Sequence, residues 1–155
     1  MNDYPQHYID DCHARMNAQI AAYKNLITAA SVSNGKAVES AIDTFEPVFF
    51  NNLVLMLDQL FVHRSRALEL KDGNPLNEVR IVCESLLNNN SKMIASKGIK
   101  LDANKSILKY KVGDEIKLSE DDFVQLSEAF SLRSKSSSAN RRPCPNNKSR
   151  AIRKI

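Results

Sequence analysis

The sequence has no tryptophan, only four glycines in 155 residues, and three cysteines. Each scarcity removes a class of protein. So few glycines leave little scope for backbone loops that cradle phosphate, and neither G-x-x-x-x-G-K-[ST] nor G-x-G-x-x-G occurs. H-E-x-x-H and G-x-S-x-G are missing as well, which weakens an enzyme reading. Cys12, Cys83 and Cys144 are odd in number and contain no C-x-x-C pair, so they read as reduced thiols rather than a disulfide framework. A metal site built from Cys12, His13, His63 and Cys83 would have suitable donors but no recognised spacing. Adjacent Cys12 and His13 point about 100° apart on a helix, which makes shared ligation awkward. No metal and no cofactor is expected. No run of 18 apolar residues exists, and Met1 to Pro5 is neither basic nor apolar, so the expectation is a cytoplasmic protein that does not cross a membrane.

The charge is unevenly placed. Of 22 Lys and Arg and 18 Asp and Glu, residues 132–155 hold eight of the former and none of the latter. The remainder carries 14 basic against 18 acidic groups, so a net +4 conceals an acidic body and a basic end. The basic pI is therefore no sign of a nucleic-acid-binding fold.

Apolar periodicity predicts a mainly α protein, a bundle of four to five helices with a small antiparallel β-ribbon at about 98–118 before the last helix. Ile9, Cys12, Met16, Ile20, Tyr23 and Ile27 recur at three- and four-residue steps, and Gly35 is suited to close that helix in a left-handed conformation. Val38, Ala41, Ile42 and Phe45 begin a second helix, which Pro47 should kink or break. A long, nearly all-round apolar helix then runs from Val48 to Leu70. Asn74 as N-cap with Pro75 at the first helical position starts another, with Leu76, Val79, Val82, Cys83, Leu86 and Leu87 as its buried stripe, extending through Met93 and Ile94 after a bend. From Gly98 to Leu118 the period changes to two, which predicts the ribbon. Ser119 to Asp122 resembles a capping arrangement, and Phe123, Leu126 and Phe130 give the last helix its buried face.

The domain is expected to cover residues 1–131. The segment 132–155, rich in Ser, Lys and Arg, has too few apolar groups to offset its ordering entropy and reads as a disordered basic tail. The last helix breaks off at Phe130 without a stop signal, so two origins stand for the tail: a native extension, or an out-of-frame translation of a longer helix. The nucleotide sequence separates them.

The polar stripe on the long helix holds the candidate site. Arg64 falls among apolar positions, where a guanidinium needs a carboxylate, an anionic ligand or a path to water. Glu46, Glu69 and Glu78 are the carboxylates on offer. His63, Arg64, Arg66 and Arg80 together could hold an anion, with His63 as a base.

Three strings, Phe49-Phe50-Asn51-Asn52-Leu53-Val54-Leu55, Phe61-Val62-His63-Arg64 and Lys71-Asp72-Gly73-Asn74-Pro75-Leu76-Asn77-Glu78-Val79-Arg80, resemble a group of small uncharacterised bacterial helical proteins. The resemblance covers roughly residues 37–130. It implies that relatives continue helically past the position of Phe130, a pattern from which this sequence departs in its tail, and it implies no activity, ligand or site.

Three functions remain open. The leading one is a non-catalytic helical module that binds a protein partner or forms a homodimer, because the central helix carries many apolar residues for few covering helices. The second is a small-ligand-binding protein or enzyme with the anion site just described. The third is weak, nonspecific nucleic-acid binding by Arg141, Arg142, Lys148, Arg150, Arg153 and Lys154 in the tail, which would fall steeply with salt.

Overall fold

In the computed structural model, which describes residues 4–32, 35–62 and 69–139, helix α1 spans Gln6–Ser31, α2 Lys36–Leu60, α3 Pro75–Asn88 and α4 Glu120–Ala139. Helix α2 packs on each of the other three, and α3 also packs on α4. The mainly helical class follows from the sequence as expected, but several boundaries and the ribbon do not.

Pro47 lies inside an uninterrupted α2. The lost donor and the ring clash cost about 3 kcal/mol in a helix interior, yet tertiary packing on both sides of Pro47 opposes a break. Tyr23 of α1 stacks on Phe49, with ring centroids 5.2 Å apart, meets Phe50 edge-on at 5.0 Å and reaches Phe45 at 6.3 Å. These three rings hold the turns before and after the proline against one partner.

The same helix ends ten residues short of the expected Leu70. The Tyr8 hydroxyl donates to the carbonyl of Leu60 at 2.7 Å, an acceptor that a continuing helix would use itself. Phe61 leaves helical geometry at φ −115° and is buried against Tyr4, Tyr8 and Phe130. Gly35 also differs from expectation: with φ −132° it is the extended N-cap of α2, not a left-handed stop for α1.

Helix α3 begins as the sequence predicts. The Asn74 side chain accepts from the N–H groups of Leu76 and Asn77, with Pro75 at the first position. Its stripe is narrower than expected, since Leu87 is 69% exposed and Leu86 only half-buried. Met93 is buried beyond the helix, not on an extension of it.

No β-ribbon forms among the described residues. Only two isolated bridges occur, Asp72 with Lys100 and Lys92 with Glu115. The alternating segment keeps its inward apolar side chains, Ile116 and Leu118 being buried, but its backbone bonds are divided between the backbone of residues 71, 91 and 93 and side chains of α2, α3 and its own Tyr110, not collected in one strand ladder. The Asn51 amide donates to the carbonyl of Ile116 at 3.0 Å, and its oxygen accepts from the N–H of Leu118 at 3.2 Å. Glu78 accepts from the N–H groups of Ile107 and Leu108 at 3.0 and 2.8 Å. The Tyr110 hydroxyl donates to the carbonyl of Lys117 and accepts from its N–H. With these partners supplied, the accounting of buried backbone groups needs no ladder.

A capping box starts α4: Ser119 and Asp122 exchange side-chain to backbone bonds at 3.1 and 3.2 Å. Glu46 of α2 adds its carboxylate to the N–H of Glu120 at 3.3 Å, anchoring the positive helix end to the core helix. Phe123, Leu126 and Phe130 are fully buried. The helix then runs on to Ala139, so it covers the first residues of the segment that the composition assigns to a tail. Residues 140–155, with the rest of that segment and its nucleic-acid candidates, lie outside the described residues.

Candidate functional site

Of the four residues proposed for an anion site, His63, Arg64 and Arg66 lie outside the described residues. Arg80 is on the solvent side of α3, its guanidinium 3.7 Å from the carboxylate of buried Glu69. That carboxylate already answers part of its charge, which weakens Arg80 as an anion trap. Asn77, also fully buried, donates to the carbonyls of Glu69 and Asp72 at 2.7 and 2.8 Å, folding the loop before α3 onto the helix. The two other carboxylates offered to Arg64 by sequence, Glu46 and Glu78, are bonded to backbone N–H groups of residues 120 and 107–108.

Burial pushes the Glu78 carboxyl above its ordinary range, against the opposing pull of the two N–H donors. A raised carboxyl in a cleft can mark an acid catalyst. Here both oxygens are spent on backbone, so its role is to hold residues 106–109 in place.

Between α1 and α4 lies an open groove of about 350 Å³, lined by Met16, Ile20, Phe123 and Leu132 with His13 and Ser131 among its polar groups. His13 Nε2 and Ser131 Oγ are 2.7 Å apart. The pair resembles a base and a hydroxyl nucleophile, but Ser131 sits within α4, where the surrounding N–H groups are committed to helical bonds and cannot hold an oxyanion. Ser131 also donates to the carbonyl of Ser127 at 2.8 Å. The contact ties α1 to α4. Cys12 and Cys83 are buried, and no group of three metal-binding side chains occurs among the described residues.

Burial, and next the carboxylate of Glu46, push the Tyr23 phenol up to about 12. The neutral phenol therefore contributes stability that is present below its ordinary value of 10 and is lost as pH rises through about 12. Ultraviolet titration of the folded chain is expected to show one phenol ionising near pH 12 that disappears in Tyr23→Phe. An unchanged titration curve in that variant would contradict the assignment.

The feature that the sequence reading missed is on the side of α1 and α2 turned away from α4. At 100° per residue, Ala18, Ala22, Leu26 and Ala29 share one row of α1, opposite to the side on which Lys24 reaches Glu120 at 2.7 Å. Ala37, Ala41, Phe45, Val48 and Asn52 form the matching row of α2. All nine residues are exposed; Leu26 is 54%, Phe45 41% and Val48 56% accessible. None of the nine carries a charge; toward its N-terminal end the α1 row continues into exposed Arg15 and Asp11, which border the face. A sequence signal existed: between Arg15 and Lys36 the single charged residue is Lys24, and Glu120 engages it.

No family model, curated protein or solved structure matches this chain. Among the described residues no helix is long and apolar enough to cross a membrane.

Proposed function

We propose that the chain is a non-catalytic helical association module that docks against a protein surface through the outer face of α1 and α2. One observation carries this reading: nine exposed residues on two adjoining helices form a face without a charged group. Charged side chains are depleted from the cores of protein interfaces, whereas a solvated helix face normally carries them. The face also includes three large apolar side chains with 41 to 56% of their surface in water. The carboxylates of Glu46 and Glu78 and the hydroxyl of Ser131 are engaged in holding backbone segments and helices together.

The test places a photoreactive residue at Ala22 in the full chain, with the same residue at exposed Asp121 of α4 as control. In cells, the first position is expected to give a discrete cross-linked species that Leu26→Arg abolishes, and the second none. Adducts of equal yield from both positions, or none from Ala22, would remove the basis of the proposal.

A further inference from the structure

Three side-chain contacts fix the relative height of α1 and α2: Tyr8 with the Leu60 carbonyl, Gln19 with the Met56 sulfur at 3.1 Å, and Tyr23 with Phe45 and Phe49. In this antiparallel pair Ala18 stands level with Asn52, Ala22 with Val48, Leu26 with Phe45, and Ala29 with Ala41. The two rows differ in relief. On α1, three of four residues are alanine, which makes a shallow channel broken by Leu26. On α2, Phe45, Val48 and Asn52 make a ridge.

From this relief we infer that the occupant of the face is a second copy of this chain, paired about a two-fold axis parallel to the helices. The inference rests on the association reading above and names its partner. Such an axis preserves heights and exchanges the rows, so α1 of each copy lies antiparallel against α2 of the other. Val48 then stands over Ala22 of the partner subunit, Asn52 over the partner's Ala18, and Phe45 beside the partner's Leu26. Ridge enters channel twice, once in each direction, and the result is a four-helix contact. A two-fold axis perpendicular to the helices would instead set channel on channel and ridge on ridge.

Charge favours the same occupant. A strongly acidic or basic partner gains nothing from the nine uncharged residues, whereas an identical neutral face leaves no ion unpaired on burial, and Arg15 and Asp11 stay at its rim. The rows span about 20 Å of helix and two helix diameters, so they cover on the order of 400 Å² in projection. That is roughly half of the ~800 Å² of accessible surface per partner in standard interfaces. The expected dimer is accordingly of micromolar strength.

Sedimentation of the purified full chain between about 1 and 300 μM is expected to pass from monomer to dimer, a range that brackets micromolar association. Ala22→Glu would place a carboxylate under Val48 of the partner subunit and should leave a monomer throughout. Ala22 is exposed, so the circular dichroism and thermal melt of the variant should match those of the parent chain. Irradiating the purified chain with the photoreactive residue at Ala22 should give a product of twice the chain mass. A monomer at all concentrations, or a dimer that Ala22→Glu leaves unchanged, would overturn the inference. If the purified chain stays monomeric while the Ala22 probe joins a different protein in cells, self-pairing is refuted and the association reading stands. If the probe joins nothing in either setting, both fall.

Discussion

Replacing Glu78 by alanine is expected to destabilise the fold by about 2–6 kcal/mol, because two partly buried N–H groups lose their acceptor at once and each such loss costs roughly 1–3 kcal/mol. Ile107 and Leu108 have no strand beside them to take over. The loop should loosen first, so amide exchange at residues 106–109 should rise more than exchange in α1. Glu78→Gln should fall between, since the amide keeps one acceptor and turns a donor toward the second N–H. Equilibrium denaturation measures both variants. If Glu78→Ala loses less than about 1 kcal/mol, the carboxylate is not what holds the loop.

The pH dependence follows from the direction of the Glu78 shift. Burial raises the folded carboxyl above its unfolded value of 4.5, so the folded state retains this proton to higher pH than the unfolded state does. The associated stability is present below about pH 4.5 and is lost as pH rises through the folded value. The difference in unfolding free energy between parent and Glu78→Gln should change across that window and level off above it. A difference that stays flat from pH 4 to 8 would contradict the raised carboxyl.

Phe50→Ala is expected to cost about 3–5 kcal/mol, the usual range for removing a fully buried phenylalanine ring. The ring touches Tyr23 of α1, Phe49 on its own helix and Phe123 of α4 at centroid distances of 5.0, 5.0 and 5.9 Å. Its loss would open a void where three helices meet and remove one of the contacts that keep α2 continuous through Pro47. Helix α2 should then break near Pro47, and the fall in helical circular dichroism should exceed that of an equally destabilising change at Phe130. A loss below about 1.5 kcal/mol would place the core elsewhere.

Several features were legible without coordinates because they depend on neighbours close in sequence. The α3 start is an example: an Asn side chain reaching N–H groups two and three residues on, followed by a proline whose missing donor costs nothing there. The Ser119 to Asp122 cap is another. The buried faces of α1 and α4 follow from the 3.6-residue period alone.

The errors have a common origin in partners distant along the chain. Asn51 reads as an interruption of an apolar helix until residues 116 and 118 are seen to bond it. Glu78 reads as a counter-ion for an arginine until residues 107 and 108 occupy it. The alternating 98–118 segment has the period of strands, yet side chains 29 to 67 residues away bond residues 107, 108, 116 and 118, and the backbone of residues 71, 91 and 93 bonds residues 100, 113, 114 and 116. The end of α2 is likewise set by a hydroxyl 52 residues earlier.

By itself, the sequence determined a mainly helical chain, the cap and apolar face of α3, the capped start of α4 and the separation of an acidic body from a basic end, since these follow from local hydrogen bonding, periodicity and composition. Tertiary structure decided where α2 ends, why Pro47 does not break it, why the period-two segment forms no ribbon, and which exposed rows of α1 and α2 join into one uncharged face. Each of those depends on bonds and packing between residues far apart in the chain, and local preferences of a few kcal/mol give way when such contacts are satisfied.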